Sequence, residues 1–235
     1  MKAGPKEIAK MIDHAVLHPT QSDEALKKEC LLAAKYRVAS ICVKPYHVKM
    51  AAKHLNNSEV KVSTVIGFPH GGNCIETKVF ESQKAIDDGA LELDMVINIG
   101  KVLQGDWDYI RDEIRAVQKL GGGEVILKVI FETDYVKNPK DIVHLCHICD
   151  EEKVDFVKTS TGFGFVKRED GSYSYEGARR TDVEMMVNRT NDKTNVKASG
   201  GIRTLKDLLE FRTIGATRIG TSATEAIMKE AMITD

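Results

Sequence analysis

The sequence predicts an α/β protein built as a (β/α)8 TIM barrel in a single domain. Eight short apolar segments alternate with longer amphipathic segments, which is typical of a parallel sheet covered by helices. The length of 235 residues is close to the usual size of such a barrel. No GxGxxG motif follows the first apolar segment, which weakens the alternative of an open dinucleotide-binding sheet. No Pro-, Gly- or Ser-rich linker divides the chain, so one domain is expected over residues 1–235.

The predicted strands are short runs of apolar and β-branched residues that end in turn residues. They lie at residues 11–17, 38–45, 60–69, 91–100, 124–133, 154–163, 195–204 and 217–223. Helical spacing is found between them at residues 22–37, 73–90, 106–123, 138–153 and 205–216. Ser22 is a typical helix N-cap, and Gly89 is typical of a helix C-terminus. The polar segment at about 167–182 is predicted to be an insertion after the sixth strand, either a mobile flap near the barrel mouth or a long solvated loop.

Composition and charge argue against several classes of function. The formal net charge is −1, so the charge balance gives no indication of a nucleic-acid partner. No run of about 18 apolar residues is present, which argues against a membrane span and a membrane partner. Residues 1–16 lack the apolar core of a secretory signal, and the five cysteines are an odd number. We therefore expect a cytoplasmic protein without a disulfide framework.

The segment HLCHIC at residues 144–149 contains candidate metal ligands. His144 and His147 are three residues apart, as are Cys146 and Cys149, so the members of each pair share a helix face. A structural zinc site normally needs a second pair of ligands on another element, and the sequence has no matching CxxC or HxxxH segment. We therefore predict small residues buried on an amphipathic helix, and no metal.

Two lysines occupy apolar strands, where a charged side chain is costly. Alternation along a strand places Lys158 on the inward face of the sixth strand and Lys197 on the inward face of the seventh. These strands are neighbours about 4.8 Å apart, so the two ammonium groups are expected to meet inside the barrel. Burial and a neighbouring cation both lower a lysine pKa. Because a neutral lysine forms a Schiff base with a carbonyl, the pair indicates imine chemistry.

Other ionisable side chains are predicted on inward faces near the same end of the barrel. Asp94, at the end of the fourth strand, is the candidate acid and base. Cys42 and Lys44 lie on one face of the second strand, and Lys128 and Glu132 on one face of the fifth. We predict structural roles for Lys128 and Lys44, either as a snorkelling side chain or in a satisfied ion pair such as that of Lys128 with Asp94.

Small-residue turns follow the last three strands, and they predict a phosphate site. The loops after the seventh and eighth strands usually hold phosphate in this fold, and glycine lets backbone N–H groups approach an anion closely. Arg203 is a candidate for additional positive charge. The candidate phosphate-binding residues are Gly162, Gly200, Gly201, Gly220, Thr221 and Ser222.

Eight segments of the chain together resemble the deoxyribose-phosphate aldolase family of class I aldolases. In the family's order and spacing they are IDHAVLHPT (12–20), ICVKP (41–45), STVIGFPHG (63–71), LELDMV (91–96), LKVIFET (127–133), KTSTGF (158–163), KASGGIRT (197–204) and RIGTS (218–222). The match covers nearly the whole chain, and the two lysine motifs together are highly specific. The resemblance implies a TIM barrel that reversibly cleaves 2-deoxy-D-ribose 5-phosphate into D-glyceraldehyde 3-phosphate and acetaldehyde, without a metal or other cofactor.

The resemblance also implies roles for individual residues. By motif match, Lys158 forms the Schiff base, Lys197 lowers its pKa and takes part in proton transfer, and Asp94 donates and accepts protons. By the same match, Asp13 lies at the floor of the site, Cys42 lies beside the substrate, and Thr161 helps to hold a relay water.

The chain departs from the family's pattern at four places. His18 stands where many relatives have lysine, and Phe163 stands where some relatives have lysine. The insertion at about 167–182 is longer than the usual glycine-rich link, and the segment AMITD that ends the sequence lacks the tyrosine of some members. These differences bear on rate and on the range of acceptor aldehydes, and they leave the two lysines and the aspartate in place.

Three alternatives remain open at this point. Another Schiff-base barrel, such as a transaldolase or a different sugar-phosphate aldolase, would share the imine but not the substrate. A phosphate-binding barrel without chemistry would leave Lys158 with an ordinary pKa. A metal-dependent aldolase would lose activity with a chelator, although the sequence has no clear inward histidine cluster.

A homodimer or larger homo-oligomer is expected, as is common among such enzymes.

Overall fold

The computed structural model describes residues 3–233 and contains a closed barrel of eight parallel strands. Neighbouring strands follow the chain order around the barrel, and the last pairs with the first. The barrel strands are β1 (Ile12–Val16), β2 (Ser40–Val43), β3 (Lys61–Ile66), β4 (Glu92–Val96), β5 (Ile126–Ile130), β6 (Phe156–Lys158), β9 (Asn195–Ser199) and β10 (Arg218–Thr221). Each lies within one of the eight predicted strands, so the predicted fold class is confirmed.

Two further short strands form an antiparallel hairpin outside the barrel. They are β7 (Val166–Lys167) and β8 (Tyr173–Ser174), and they pair with each other. Both lie in or directly beside the polar insertion predicted at about 167–182. The last residues of that insertion belong to the helix that follows.

Helices cover the outside of the barrel. They are α1 (Pro5–Met11), α2 (Asp23–Tyr36), α3 (Val48–Leu55), α4 (Ile75–Asp87), α5 (Ile99–Leu103), α6 (Trp107–Gln118), α7 (Pro139–Glu151), α8 (Arg180–Arg189), α9 (Leu205–Ile214) and α10 (Thr224–Ile233), with 3-10 turns at Pro45–His47 and Lys119–Gly121. The five predicted helical segments correspond to α2, α4, α6, α7 and α9. Ser22 caps α2 by accepting the N–H of Ala25, as predicted. None of the helices within residues 3–233 is both long and apolar enough to cross a membrane.

The main apolar core lies between the outer faces of the strands and the helices. Cys146 and Cys149 on α7 are fully buried in it, as the sequence predicts. His144 and His147 are exposed on the same helix, so the two pairs of candidate ligands face different surroundings. The segment is therefore part of an amphipathic helix.

The strand register brings the predicted reactive residues together inside the barrel. Lys158 on β6 lies directly beside Lys197 on β9, and Asp94 on β4 lies beside Lys128 on β5. Paired residues on neighbouring strands point to the same face of a sheet. The interior therefore contains charged side chains where many barrels have branched aliphatic ones.

Candidate active site

A cavity of about 320 Å3 opens at the C-terminal end of the barrel. Most of the residues predicted to form the site line it: Asp13, Cys42, Lys158, Thr161, Gly162, Lys197, Gly200, Gly201, Gly220, Thr221 and Ser222. Asp94 is the exception, because it lies beneath the lysines and is fully buried. The structure thus gathers all the predicted residues around one cavity, and the individual roles assigned to them remain predictions.

Asp94 bridges the two lysines at the floor of the cavity. Its Oδ2 accepts hydrogen bonds from Nζ of Lys158 and Nζ of Lys197, each at 2.7 Å. Its Oδ1 accepts from Nζ of Lys128 at 2.8 Å. Burial alone would raise the pKa of Asp94, but these three ammonium groups outweigh it and hold the pKa well below its usual range. Asp94 is therefore a carboxylate that couples both cavity lysines.

Of the two lysines that line the cavity, Lys158 contacts the smaller number of carboxylates. Its side chain is 4% exposed, and within residues 3–233 its ion-pair contact is with Asp94. Burial lowers the pKa of Lys158 below its ordinary value; Asp94 opposes this shift, and the nearby Lys197 adds to it. The arrangement increases the neutral fraction of the Lys158 amine, which lines the cavity.

Lys197 is held by two carboxylates. Its Nζ lies 2.5 Å from Oδ2 of Asp13 and 2.7 Å from Oδ2 of Asp94. Asp13 is also held by Ser40, whose hydroxyl donates to Oδ1 at 2.6 Å. Burial would raise the pKa of Asp13, but the surrounding cations keep it far below its usual range. Lys197 is therefore fixed in place between two carboxyl groups.

A second layer of ion pairs lies deeper in the barrel. Lys128 Nζ contacts Glu92 at 2.6 Å, Asp94 at 2.8 Å and Asp13 at 3.3 Å. Burial lowers the pKa of Lys128, but the three carboxylates outweigh it and hold the pKa well above its ordinary value. Arg218 contacts Asp13 at 2.5 Å and Glu92 at 3.1 Å. The predicted ion pair of Lys128 with Asp94 is confirmed, within a larger network than the sequence indicated.

The charges of this network do not balance if every group is ionised. Three carboxylates, those of Asp13, Glu92 and Asp94, face four cations in the barrel interior: Lys128, Lys158, Lys197 and Arg218. One surplus positive charge in a buried site is costly. The loss of one proton from a lysine would leave three charges of each sign.

Cys42 lies at the cavity wall in an apolar setting. It is 2% exposed and packs with Leu17 and Val65. Burial raises the pKa of the Cys42 thiol to about 11, so it is protonated at neutral pH. Phe68 and Phe163 pack against this cluster, with their ring centroids 5.5 Å apart in an edge-on arrangement. This side of the cavity is therefore suited to the apolar part of a ligand.

Thr161 is held by a buried carboxyl that sequence reasoning did not assign to the site. Glu132 accepts the hydroxyl of Thr161, and its two oxygens each lie 3.3 Å from the backbone nitrogen of that residue. The Thr161 hydroxyl also accepts the N–H of Phe163 at 2.9 Å. Glu132 adopts a left-handed φ of 52° just after β5, which is unusual for this residue type. These contacts fix the loop that follows Lys158.

Glycine is required at several positions of the predicted phosphate end. Gly200 and Gly201 have φ values of 94° and 79°, which side-chain-bearing residues rarely adopt. A Cβ at Gly220 would lie 2.8 Å from Cβ of Ser199 and 3.2 Å from Cε of Lys197. Gly220 therefore leaves the space that Lys197 occupies.

Thr221 and Ser222 both carry a side-chain hydroxyl at this end of the cavity. The Thr221 hydroxyl donates to the carbonyl of Ile202 at 2.7 Å and accepts the N–H of Ala223 at 2.9 Å. Thr221 thus ties the last two rim loops together, and its role in binding phosphate stays a prediction. Ser222 is exposed and lines the cavity.

The remaining predicted ionisable residue is not part of the cavity. Lys44 donates to the backbone carbonyls of His18, Pro19 and Gln21 at 3.1 to 3.3 Å. Lys44 is therefore held by backbone carbonyls rather than by the ion pair that was one of its two predicted arrangements. Arg218 was not among the residues predicted to lie in the barrel interior. Arg218 follows Thr217 within a predicted strand, and it shares the inward face with Gly220, two residues later. That alternation was the signal that could have identified it as an inward residue.

Comparisons with known proteins identify the family. The sequence profile of the DeoC/LacD family aldolases matches residues 7–229. The deoxyribose-phosphate aldolase of Caldicellulosiruptor saccharolyticus is 45% identical over 227 residues, which cover 96% of this chain and 98% of that protein. The deoxyribose-phosphate aldolase of Rhodopirellula baltica is 44% identical, with 96% and 89% covered.

Solved structures agree with the sequence comparisons. An aldolase named QR15 superimposes with a TM-score of 0.87 at 35% identity, covering 96% of each chain. The deoxyribose phosphate aldolase of Aeropyrum pernix, described as a tetramer, superimposes with a TM-score of 0.86 at 26% identity, covering 99% of this chain and 94% of that one. The resemblance found in the sequence is confirmed, and the chain belongs to the DeoC/LacD family of aldolases.

Proposed function

We propose that this chain is a class I aldolase that reversibly cleaves 2-deoxy-D-ribose 5-phosphate into D-glyceraldehyde 3-phosphate and acetaldehyde. The observation that carries the proposal is the environment of Lys158. This lysine is buried at the end of a barrel strand, contacts one carboxylate that it shares with Lys197, and faces a cavity. Burial lowers its pKa, which increases the fraction of neutral amine available for attack on a carbonyl carbon.

The proposed reaction begins with imine formation. The Lys158 nitrogen adds to C1 of the open-chain sugar, and loss of water gives a protonated imine. A base removes the proton of the C3 hydroxyl, and the bond between C2 and C3 breaks. D-glyceraldehyde 3-phosphate leaves with C3 as its aldehyde carbon, while the electron pair of the broken bond forms an enamine on C2. Protonation at C2 and hydrolysis of the imine then release acetaldehyde and the free lysine.

Asp94 and Lys197 are placed to handle protons near the imine. Asp94 accepts from both lysine ammonium groups through one oxygen, so a proton lost from Lys158 has a short route to its neighbours. Lys197 is a cation between Asp13 and Asp94, and its positive charge disfavours the charged form of Lys158. We assign Lys158 as the nucleophile, Lys197 as its charged partner, and Asp94 as the proton relay.

The substrate phosphate is proposed to bind at the opposite end of the cavity from Cys42. Gly200, Gly201, Arg203 and Ser222 all line the cavity, and backbone N–H groups of glycine-rich turns can bind an anion. Ser222 lies two residues before the start of α10. The apolar wall at Cys42 and Phe163 would contact the two-carbon fragment that becomes acetaldehyde.

Reductive trapping tests the proposal directly. The protein is incubated with 2-deoxy-D-ribose 5-phosphate, reduced with borohydride and digested, and the modified peptide is identified by mass spectrometry. The expected adduct is on Lys158. It should disappear in Lys158→Ala and persist in Lys44→Ala, a matched control whose lysine donates to backbone carbonyls and is not itself among the residues that line the cavity.

Other results would favour the alternatives. An adduct on Lys197 would reverse the assignment of the two lysines. The absence of an adduct from a folded protein that still binds the sugar phosphate would favour a binding barrel. Turnover of other sugar phosphates in preference to this one would favour a different Schiff-base aldolase, and loss of turnover after dialysis against a chelator would favour a metal-dependent one.

Assembly and location complete the proposal. We expect a homodimer or larger homo-oligomer, and a relative of this chain is described as a tetramer. Light scattering coupled to gel filtration of the full chain tests this expectation, and a monomer at micromolar concentration would contradict it.

The proposed location is the cytoplasm, and fractionation of cells that express the protein tests it.

A further inference from the structure

The hairpin of β7 and β8 has a defined internal structure. The N–H of Arg168 donates to the carbonyl of Ser172 at 2.8 Å. The carboxylate of Asp170 accepts from the N–H and the hydroxyl of Ser172 at 2.9 and 2.6 Å. The rings of Phe165 and Tyr173 lie 5.6 Å apart, one from each side of the hairpin. The segment therefore forms a hairpin with its own hydrogen bonds, and residues 167–173 are exposed to solvent.

The start of the hairpin is fixed to the loop that follows β5. The Tyr135 hydroxyl donates to the carbonyl of Phe165 at 2.9 Å and accepts its N–H at 3.0 Å. Gly164 packs against Asp134 so closely that a Cβ at position 164 would lie 2.9 Å from the Cβ of Asp134. Two consecutive residues of the barrel rim thus hold the entry to the hairpin.

The end of the hairpin is fixed to the predicted phosphate loop. Asp134, which is buried, accepts the N–H of Glu176 at 2.7 Å and that of Gly177 at 3.2 Å. Ala178 donates its N–H to the carbonyl of Gly200 at 3.1 Å. A Cβ at Gly177 would lie 2.6 Å from the carbonyl carbon of Gly200. The backbone after the hairpin therefore runs in direct contact with the first glycine of that loop.

Tyr175 lies between β8 and this anchor, and it lines the cavity together with Gly201, Ile202 and Arg203. The next residue, Glu176, has its carbonyl oxygen 3.7 Å from the position that a Cβ at Gly201 would take. The side chain keeps contact with solvent, with 38% of the residue exposed. Its hydroxyl makes no hydrogen bond to any other group within residues 3–233. A hydroxyl donor in a cavity that Arg203 and two glycines of the predicted phosphate loop also line is suited to an anionic ligand.

We infer that Tyr175 is a substrate-binding residue that determines specificity for the phosphate group, with its hydroxyl donating a hydrogen bond to a phosphate oxygen. The inference rests on the proposed function, because it assigns the phosphate end of that substrate to this wall. The two anchors through Asp134 and Gly200 hold the hairpin in place before substrate arrives. A donor positioned in advance binds with a smaller loss of conformational freedom than one that must be ordered on binding.

Removing one hydroxyl tests the inference. Tyr175→Phe keeps the ring and the hairpin and deletes the proposed donor. With 2-deoxy-D-ribose 5-phosphate we expect KM to rise about tenfold, the effect of losing one hydrogen bond to a charged group, while kcat stays close to that of the wild type. With unphosphorylated 2-deoxyribose we expect no change in kcat/KM. The discrimination between the two substrates should therefore fall about tenfold.

Tyr173→Phe is the matched control, because it makes the same chemical change on the same hairpin. Tyr173 packs on Phe165 and is not part of the cavity lining, so this variant should keep the wild-type discrimination. Equal effects of Tyr175→Phe on both sugars would mean that the tyrosine acts on the reacting end or on folding. An unchanged ratio would mean that its hydroxyl does not contact the phosphate. Either result overturns the inference.

A binding measurement separates this inference from the proposed function. Titration calorimetry with inorganic phosphate should give a Kd about tenfold higher for Tyr175→Phe than for the wild type and for Tyr173→Phe. If the wild type binds phosphate with this pattern but cleaves neither sugar, the proposed function fails and the site assignment stands. If Tyr175→Phe binds phosphate as well as the wild type, or if the wild type does not bind it, the assignment is overturned.

Discussion

Replacing Glu132 with glutamine tests how burial controls a carboxyl beside the site. Glu132 is 1% exposed, and both of its contacts described above are to Thr161. Burial raises its pKa from 4.5 to about 7, because the hydrogen bonds from Thr161 and the charge of Lys158 offset only part of the desolvation. The nearby Asp134 adds to the rise. Glutamine keeps the size and the carbonyl oxygen of this side chain and cannot titrate.

The sign of the effect on stability follows from proton linkage. The folded protein keeps the Glu132 proton up to about pH 7, whereas the unfolded chain releases it near pH 4.5. Between these values the folded state binds more protons, so the free energy of unfolding falls as the pH rises. At about 1.36 kcal/mol for each tenfold change in the proton equilibrium, the contribution lost across this window is about 3 kcal/mol.

Urea unfolding followed by circular dichroism at several pH values between 4.5 and 8 measures this contribution. The unfolding free energy of the wild type minus that of Glu132→Gln should decrease by about 3 kcal/mol from the acidic to the alkaline end. Glu124→Gln is the control, because it removes an equivalent charge at an exposed position, and its difference from the wild type should stay constant. A constant difference for Glu132→Gln as well would refute the argument that desolvation outweighs the Thr161 contacts.

Two further substitutions test the charge network in the barrel. Lys128→Met should lower the free energy of unfolding by about 3 to 5 kcal/mol in the same urea assay, because Asp13, Glu92 and Asp94 lose a buried counter-charge; a loss below about 1 kcal/mol would mean that the remaining cations suffice. Asp94→Asn should reduce kcat at least about 100-fold while borohydride still traps an adduct on Lys158, since the relay is removed and the nucleophile is not. Turnover within tenfold of the wild type would contradict the assigned relay.

The sequence was sufficient to predict the eight barrel strands and the two inward lysines. Alternation between apolar strands and amphipathic helices is a local pattern, so it can be read without the tertiary structure. The inward positions of Lys158 and Lys197 follow from the period of two along a strand. The neighbouring positions of β6 and β9 in the barrel follow from the topology of the fold.

The details of the charge network depend on contacts across the barrel. A short stretch of sequence does not reveal which charged side chains make these contacts. Arg218 reaches Asp13 and Glu92 on other strands, a result of register and strand tilt that no stretch of sequence displays. The left-handed backbone of Glu132 is similarly set by its contacts with the next loop. The hairpin did have a signal: Asp170 and Gly171 between two short β-prone segments are typical of a tight hairpin turn.

The number of carboxylates around each buried lysine explains which one is prepared to lose its proton. Lys128 contacts three, Lys197 two and Lys158 one. All three lysines are almost fully buried, so desolvation disfavours each charged form, while every added carboxylate favours it. Lys158, with a single carboxylate contact, has a pKa below its ordinary value because desolvation outweighs that one carboxylate. Because a shift of one strand by a single residue would turn these side chains to the other face, the strand register determines the surroundings of the proposed nucleophile.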